Sequence, residues 1–237
     1  FNSASSEILR LMPEHAVQIN MACSTMVLLG AFINEGPVHG RHSPFLAAHH
    51  RSTNLLLSIR HVLLSGLEEA ARPLSRAFLE SIDIALVLLT NEEFATEFFD
   101  SEFDFRKFWS KEIAYGKIYP HLRVAFLEAG FDEEKADGKI QLRKNQKNSL
   151  SSSVHGDEAG AFRSWAPPVL GYPDMLSLQQ HGVVNLHTPD HVAAMVSETF
   201  MYTAGMMNLM ISGKYDDFFK RSTSVEKRDR YVTHFFA

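Results

Sequence analysis

The segment from Arg72 to Thr90, RPLSRAFLESIDIALVLLT, is apolar around almost its whole helical circumference, yet it carries Arg72, Arg76, Glu80 and Asp83. At 100° per residue those four charged positions fall within about 80° of one another. Leu74, Phe78, Ile82, Ile84, Leu86 and Leu88 occupy the rest of the wheel. One reading is a solvent-facing stripe with Arg76 and Glu80 as an i,i+4 pair; but a surface helix shows a broader polar face than this, and the other reading places the segment in the interior of the fold. Its narrow seam then needs partners, because buried charges must be paired and hydrogen-bonded or else neutralised.

The rest of the chain supplies helices to surround it. Helical periodicity dominates, with no alternating strand pattern and no tight hairpin signal. A first helix is expected over Glu7 to Asn34, a second from Ser43 to about Leu64, and the seam-bearing one up to about Leu89 after a break at Ser65-Gly66. Asn91 to Lys117 reads as one long aromatic helix, followed by shorter ones over His121–Ala129 and Glu133–Lys147. Thr188, Pro189 and Asp190 suit the start of a helix reaching Ile211. Residues 149–188 are rich in Gly, Pro and Ser and read as an irregular loop or lid. The predicted fold is therefore all-α: a multi-helix bundle over residues 1–213 with that insertion, and a polar tail of short helices over 214–237.

Composition narrows the function. A net charge of −5 disfavours a general nucleic-acid or anionic-membrane binder, although a local basic patch is compatible with it. Cys23 is the only cysteine, which excludes a disulfide framework and zinc sites built on paired cysteines and fits a cytoplasmic setting. No basic-then-apolar leader is visible, and the apolar run Val192–Ile211 is interrupted by Ser197, Glu198, Thr199, Tyr202 and Asn208, so no membrane partner is expected. His39, His42, His49 and His50 lie close in sequence, but only Glu35 is near to complete a shell, and His49 and His50 point about 100° apart on a helix. No metal is expected there. Without a P-loop, a dinucleotide fingerprint or a nucleophile elbow, no cofactor is expected either. Lys139, Arg143, Lys144 and Lys147 read as a solvated basic face, with phosphate or RNA contact as the other reading.

Two features point to a site. His50, Asn54, Ser58 and His61 form a polar seam on the helix preceding the charged one, and the two seams are expected to face each other across an interhelical pocket. Downstream, Ser151, Ser152 and Ser153 run into Val154-His155-Gly156, where the insertion begins. A helix of the form RPLSRAFLE followed some seventy residues later by SSSVHG resembles an uncharacterised family of bacterial all-helical proteins with an Arg-x-x-x-Glu core helix and a Ser/His-Gly element. That family is in turn similar to the HEPN-like bundles of toxin–antitoxin and phage-defence systems.

The resemblance spans roughly residues 55–156 and implies Arg76, Glu80 and His155 as candidate catalytic residues. His155 would be general acid/base, Arg76 an anion ligand, and Glu80 its orienting carboxylate. Arg72, Asp83, Asn54, His61 and Ser151 are the candidate ligand-binding residues around them. The ligand would be RNA, a nucleotide or another phosphorylated molecule. The Arg-to-His spacing of many HEPN ribonucleases occurs at Arg10–His15 and Arg228–His234, no more often than the roughly 2 matches that chance gives. The other reading is a non-enzymatic, homo-oligomeric interaction protein. There the network fixes helix register, and the Met-rich helix after Thr188 or the aromatic helix after Asn91 forms the contact surface.

Overall fold

The computed structural model describes residues 12–34, 42–99, 105–155 and 188–212, with isolated positions 6, 9, 10 and 215. Eight α-helices and no strand occur among the described residues. They are α1 Pro13–Asn34, α2 His42–Leu63, α3 Glu68–Thr90, α4 Glu92–Phe99, α5 Phe105–Phe108, α6 Ile118–Glu128, α7 Glu133–His155 and α8 Thr188–Ile211. The chain is an all-α bundle, and α3 is its centre. It packs against α2, α4, α6, α7 and α8, while α8 lies mainly along α1. From Ser81 to Leu89 every residue of α3 is buried, as an apolar cylinder requires.

Close packing explains the α2–α3 pair, which has the most extensive contact in the bundle. Small side chains face each other there: Ser52 Oγ donates to Ser81 Oγ at 2.9 Å, and Ser81 Oγ lies 3.2 Å from the Ala48 carbonyl. Phe45, Leu56, Ile59, Phe78 and Leu79 fill the space around them with no exposed surface. The connection from α6 to α7 is set by Gly130 at φ 91°, a left-handed cap. Its N–H donates to Leu127, the Phe131 N–H reaches back to Phe126, and the Phe126 and Phe131 rings meet at 5.6 Å. That is the Schellman arrangement with its apolar contact. Asp132 then caps α7, its Oδ1 accepting from the Lys135 N–H at 2.8 Å.

Three helices are tied together by one buried imidazole. His49 Nε2 lies 3.0 Å from the Met26 carbonyl of α1, and Nδ1 lies 3.0 Å from the Tyr202 hydroxyl of α8. The carbonyl can only accept, so Nε2 carries the proton and Nδ1 accepts from Tyr202. Gly30 makes room for this ring, since a Cβ there would stand 3.1 Å from His49 Nε2. Burial pushes the His49 pKa down to about 4 and raises the Tyr202 hydroxyl far above its ordinary value.

Several expectations need correction. The segment after Asn91 is not one helix. Asn91 Oδ1 accepts from the Phe94 N–H at 3.0 Å and starts the short α4. After α5 the chain widens into a π-helical turn, Trp109–Ile113, and then tightens into a 3-10 turn, Ala114–Gly116. Phe94, Phe98 and Phe108 of this region pack on one another, Phe94 and Phe108 edge to face at 5.0 Å, and so contribute to the core. In the Met-rich helix Met195 and Met206 are buried, because unbranched methionine fills gaps between close helices, while Met201, Met207 and Met210 are half-buried. The insertion does not begin at Ser149 either, since α7 runs on to His155. Residues 156–187 and the tail from 216 lie outside the described residues.

The His49 environment generates a prediction. An imidazole held neutral in the fold but free to protonate near pH 6.5 when unfolded costs stability as the pH falls through 6.5 towards 4. A shift of this size corresponds to about 3 kcal/mol at its limit. Urea denaturation at stepped pH should show the wild type losing stability between pH 6.5 and 4.5 more steeply than His49→Gln, which keeps a donor and an acceptor. Parallel slopes would refute it.

Candidate functional site

The seam of α3 faces α7, not α2. His50, Asn54 and His61 are exposed, and so is Ser58; they lie on the outer side of α2, opposite Phe45, Leu56, Ile59 and Leu63. The two seams therefore do not form a common pocket, and Asn54 and His61 do not stand beside the charged residues of α3. The partner surface comes from α7, whose inward positions Ala136, Ile140, Arg143, Lys147 and Leu150 repeat at three and four residues.

Asp83 dominates that contact. It is fully buried, and it meets Arg143 Nε at 3.0 Å and Lys147 Nζ at 2.8 Å as ion pairs. Arg143 also reaches Glu198 of α8 at 2.8 Å, and Gln146 Nε2 donates to Glu198 at 2.7 Å. Two acids and two bases thus close a neutral cluster among three helices. Burial alone would favour deprotonation of Arg143, but Asp83 and Glu198 outweigh it and hold the guanidinium charged. The expected solvated basic face of α7 is corrected here: Arg143 and Lys147 point inward because opposite charges await them.

A second buried group sits at the start of α3. Arg72 pairs with Glu68 at 3.1 Å and donates to the Ser149 carbonyl at 3.1 Å. His191 of α8 stands between Glu68, 3.1 Å from Nδ1, and Ser75, 2.7 Å from Nε2. Burial raises the Glu68 carboxyl, yet His191 and Arg72 outweigh that and hold its pKa below the ordinary value. The order Ser–His–Glu has the connectivity of a nucleophile with its base. Ser75, however, is wholly buried and its hydroxyl also lies 2.9 Å from the Ala71 carbonyl. The chain of hydrogen bonds ties α3 to α8. Arg72 and Asp83 accordingly belong to the bundle's interior pairing and do not line the cavity described next, contrary to expectation.

That cavity lies between α3, α6, α7 and the π-helical turn, and has a volume of about 690 Å³. Arg76 and Glu80 come from α3, paired at 3.3 Å, and Arg76 Nη1 also donates to Ser151 Oγ of α7. Lys144, Lys147 and Asn148 line the same wall, and Trp109, Ile113, Tyr115 and Tyr119 line the other. Lys144 and Lys147 stand over the Tyr119 ring at 5.2 and 5.6 Å from its centroid, within cation–π range. Burial and the nearby Asp83 raise the Tyr119 hydroxyl pKa.

The aromatic wall depends on strained backbone. Tyr115 adopts φ 55°, ψ 26°, a left-handed conformation uncommon outside glycine, and its side chain is 97% exposed. Gly116 follows at φ 83°, and a Cβ there would come within 3.0 Å of the Tyr119 ring. A π-helical turn followed by a left-handed residue is the kind of irregularity that clusters at binding sites.

Of the residues expected from sequence, Arg76, Glu80 and Ser151 thus converge. His155 ends α7, four residues beyond Ser151, and its side chain lies outside the described residues. Sequence reading missed Trp109, Tyr115, Tyr119 and Asn148. The signal for Tyr119 was its position after Gly116 in AYGKIY. Glu80 is the only carboxylate lining the cavity among the described residues, so proton transfer there would use it. No cluster of three or more His, Cys, Asp or Glu suited to a metal occurs among the described residues.

Removing Asp83 leaves Lys147 buried without its counter-ion. Asp83→Ala should lower the unfolding free energy by about 3–5 kcal/mol, and Asp83→Leu combined with Lys147→Met should recover most of the loss. Urea titration of the three proteins checks both; equal losses in the single and double variants would contradict the pairing.

No family model matches the chain, and no curated protein or solved structure shows detectable similarity to it. The chemistry of the cavity must be read from its own residues.

Proposed function

We propose that this chain is a HEPN-like bacterial protein of a defence or toxin–antitoxin type, whose interhelical cavity binds a phosphorylated ligand, either a nucleotide or an RNA end. The observation that carries the reading is the convergence of Arg76, Lys144 and Ser151 on one cavity with aromatic walls, with Lys147 beside them paired to Asp83. Cations with hydroxyl and amide donors suit phosphate oxygens, and Tyr119 and Trp109 suit a planar base. A volume of about 690 Å³ is in the range of small-molecule sites. With an overall charge of −5, recognition falls to this local patch rather than to the field of the whole protein.

In this reading Arg76 is the anion ligand. Glu80 fixes its guanidinium and is the available general base, and Ser151, whose hydroxyl donates to the Lys147 carbonyl, accepts from Arg76 and helps to hold it. His155 would serve as general acid/base if its imidazole reaches the phosphate. A ribonuclease-like cleavage is the corresponding reaction. The cytoplasmic setting belongs to the same proposal, supported by a single cysteine, Cys23, whose thiol is buried and pushed up to about 11.

A second reading is a non-enzymatic homo-oligomer, and one observation favours it. Val17 and Met21 are more than half exposed on neighbouring turns of α1, a helix also long and apolar enough to cross a membrane, with 44% of that window buried in the bundle. A homodimer formed through this face should dissociate on Met21→Lys, read by sedimentation.

Two measurements test the leading proposal. Titration with pyrophosphate or a short RNA, followed by calorimetry, should give binding that Arg76→Ala and Lys144→Ala each weaken 10-fold or more with unchanged melting curves. Binding unaffected by both substitutions would sink it.

A further inference from the structure

A second cavity, of about 730 Å³, opens on the far side of the Glu80–Trp109–Ser110 wall. Its lining is more apolar than that of the first, although the exposed Arg51 and Arg106 also border it. Ala47 and Ala77 leave a slot between α2 and α3, closed by Ile84, Phe98 and Trp109. Glu80, Trp109 and Ser110 line both cavities, so the two share one wall. A basic compartment thus adjoins an apolar, aromatic one across a carboxylate and an indole.

Resting on the phosphate-binding reading above, we propose that the pair forms one bipartite site for a nucleoside monophosphate. The phosphate occupies the basic cavity against Arg76 and Lys144, and the base enters the apolar slot against Trp109 and Phe98. Two features favour this occupant over a simple anion. The slot is walled by two aromatic side chains, which stack on planar rings of any base. Glu80, at the junction, can accept hydrogen bonds but not donate them when ionised, which matches a sugar that presents hydroxyl donors between base and phosphate. Small residues at Ala47 and Ala77 keep the slot open, and larger ones would close it without touching the basic wall.

Calorimetric titration with pyrophosphate and with the four ribonucleoside monophosphates tests this on the wild type, Ala47→Trp and Ala77→Phe. Ala47 is exposed at the rim on α2 and Ala77 half-buried on α3, so the two variants fill the slot from different helices. The expected result is that at least one nucleotide binds the wild type 10-fold or more tightly than pyrophosphate. Both variants should lose that gain while keeping the wild-type affinity for pyrophosphate, which also shows that they fold. Nucleotides binding no better than pyrophosphate would overturn the bipartite site and leave the anion cavity standing. A nucleotide preference that survives both substitutions would also overturn it, since the base would then lie elsewhere. If neither probe binds the wild type, the phosphate-binding reading fails and this inference with it.

Discussion

A carboxylate in the middle of an apolar helix has to be answered by its neighbours, and in this protein Asp83 sets the arrangement of everything around α3. It is fully buried and takes Arg143 and Lys147 from α7. Glu198 on α8 balances the second positive charge. Unpaired charge in such surroundings would cost several kcal/mol, so α7 has little choice in how it rotates against α3. Residues on the edge of that buried stripe, Lys144, Asn148 and Ser151, are thereby presented to the adjoining cavity. The same helix serves as a lock on one face and as a cavity wall on its edge.

The opposite wall is built by departure from regularity. A continuous helix from Asn91 to Lys117 would carry its aromatic residues around a cylinder. Instead the chain passes through α4, α5, a π-helical turn and the left-handed Tyr115, and Trp109 and Tyr119 are thereby brought opposite the cations of α7. Backbone in sparsely populated conformations persists when its surroundings hold it, here with Tyr119 packed against Gly116. Order in the bundle and irregularity at its edge together make a cavity with one basic and one aromatic side.

The all-α class was legible because periodicity over many turns is a strong local signal, and the burial of α3 was one of two readings of its narrow seam. The starts of α2 and α8 were legible through proline and a cap. Partner choice was not. Both α2 and α7 carry polar residues at helical spacing, and sequence alone favoured α2, whose seam turned out to face solvent. The deciding clue was charge complementarity: Arg143 and Lys147 sit in the inward repeat of Ala136, Ile140 and Leu150, and Asp83 and Glu198 sit within apolar helices. Arg76 and Glu80 were named through a resemblance and Ser151 as their neighbour, and the three line one cavity, whereas Trp109 and Tyr119 depend on a turn whose π-helical form no local residue signals.

The central claim is that the wall formed by Arg76, Lys144 and Ser151 holds a phosphate. Crystals soaked in tungstate, a heavy tetrahedral oxyanion of the same chemistry, test it most directly through anomalous scattering. The account predicts a tungsten peak within hydrogen-bonding reach of Arg76 and Ser151, lost in crystals of Arg76→Ala. A cavity without a peak in well-soaked crystals, or a peak that persists unchanged in Arg76→Ala, would contradict it.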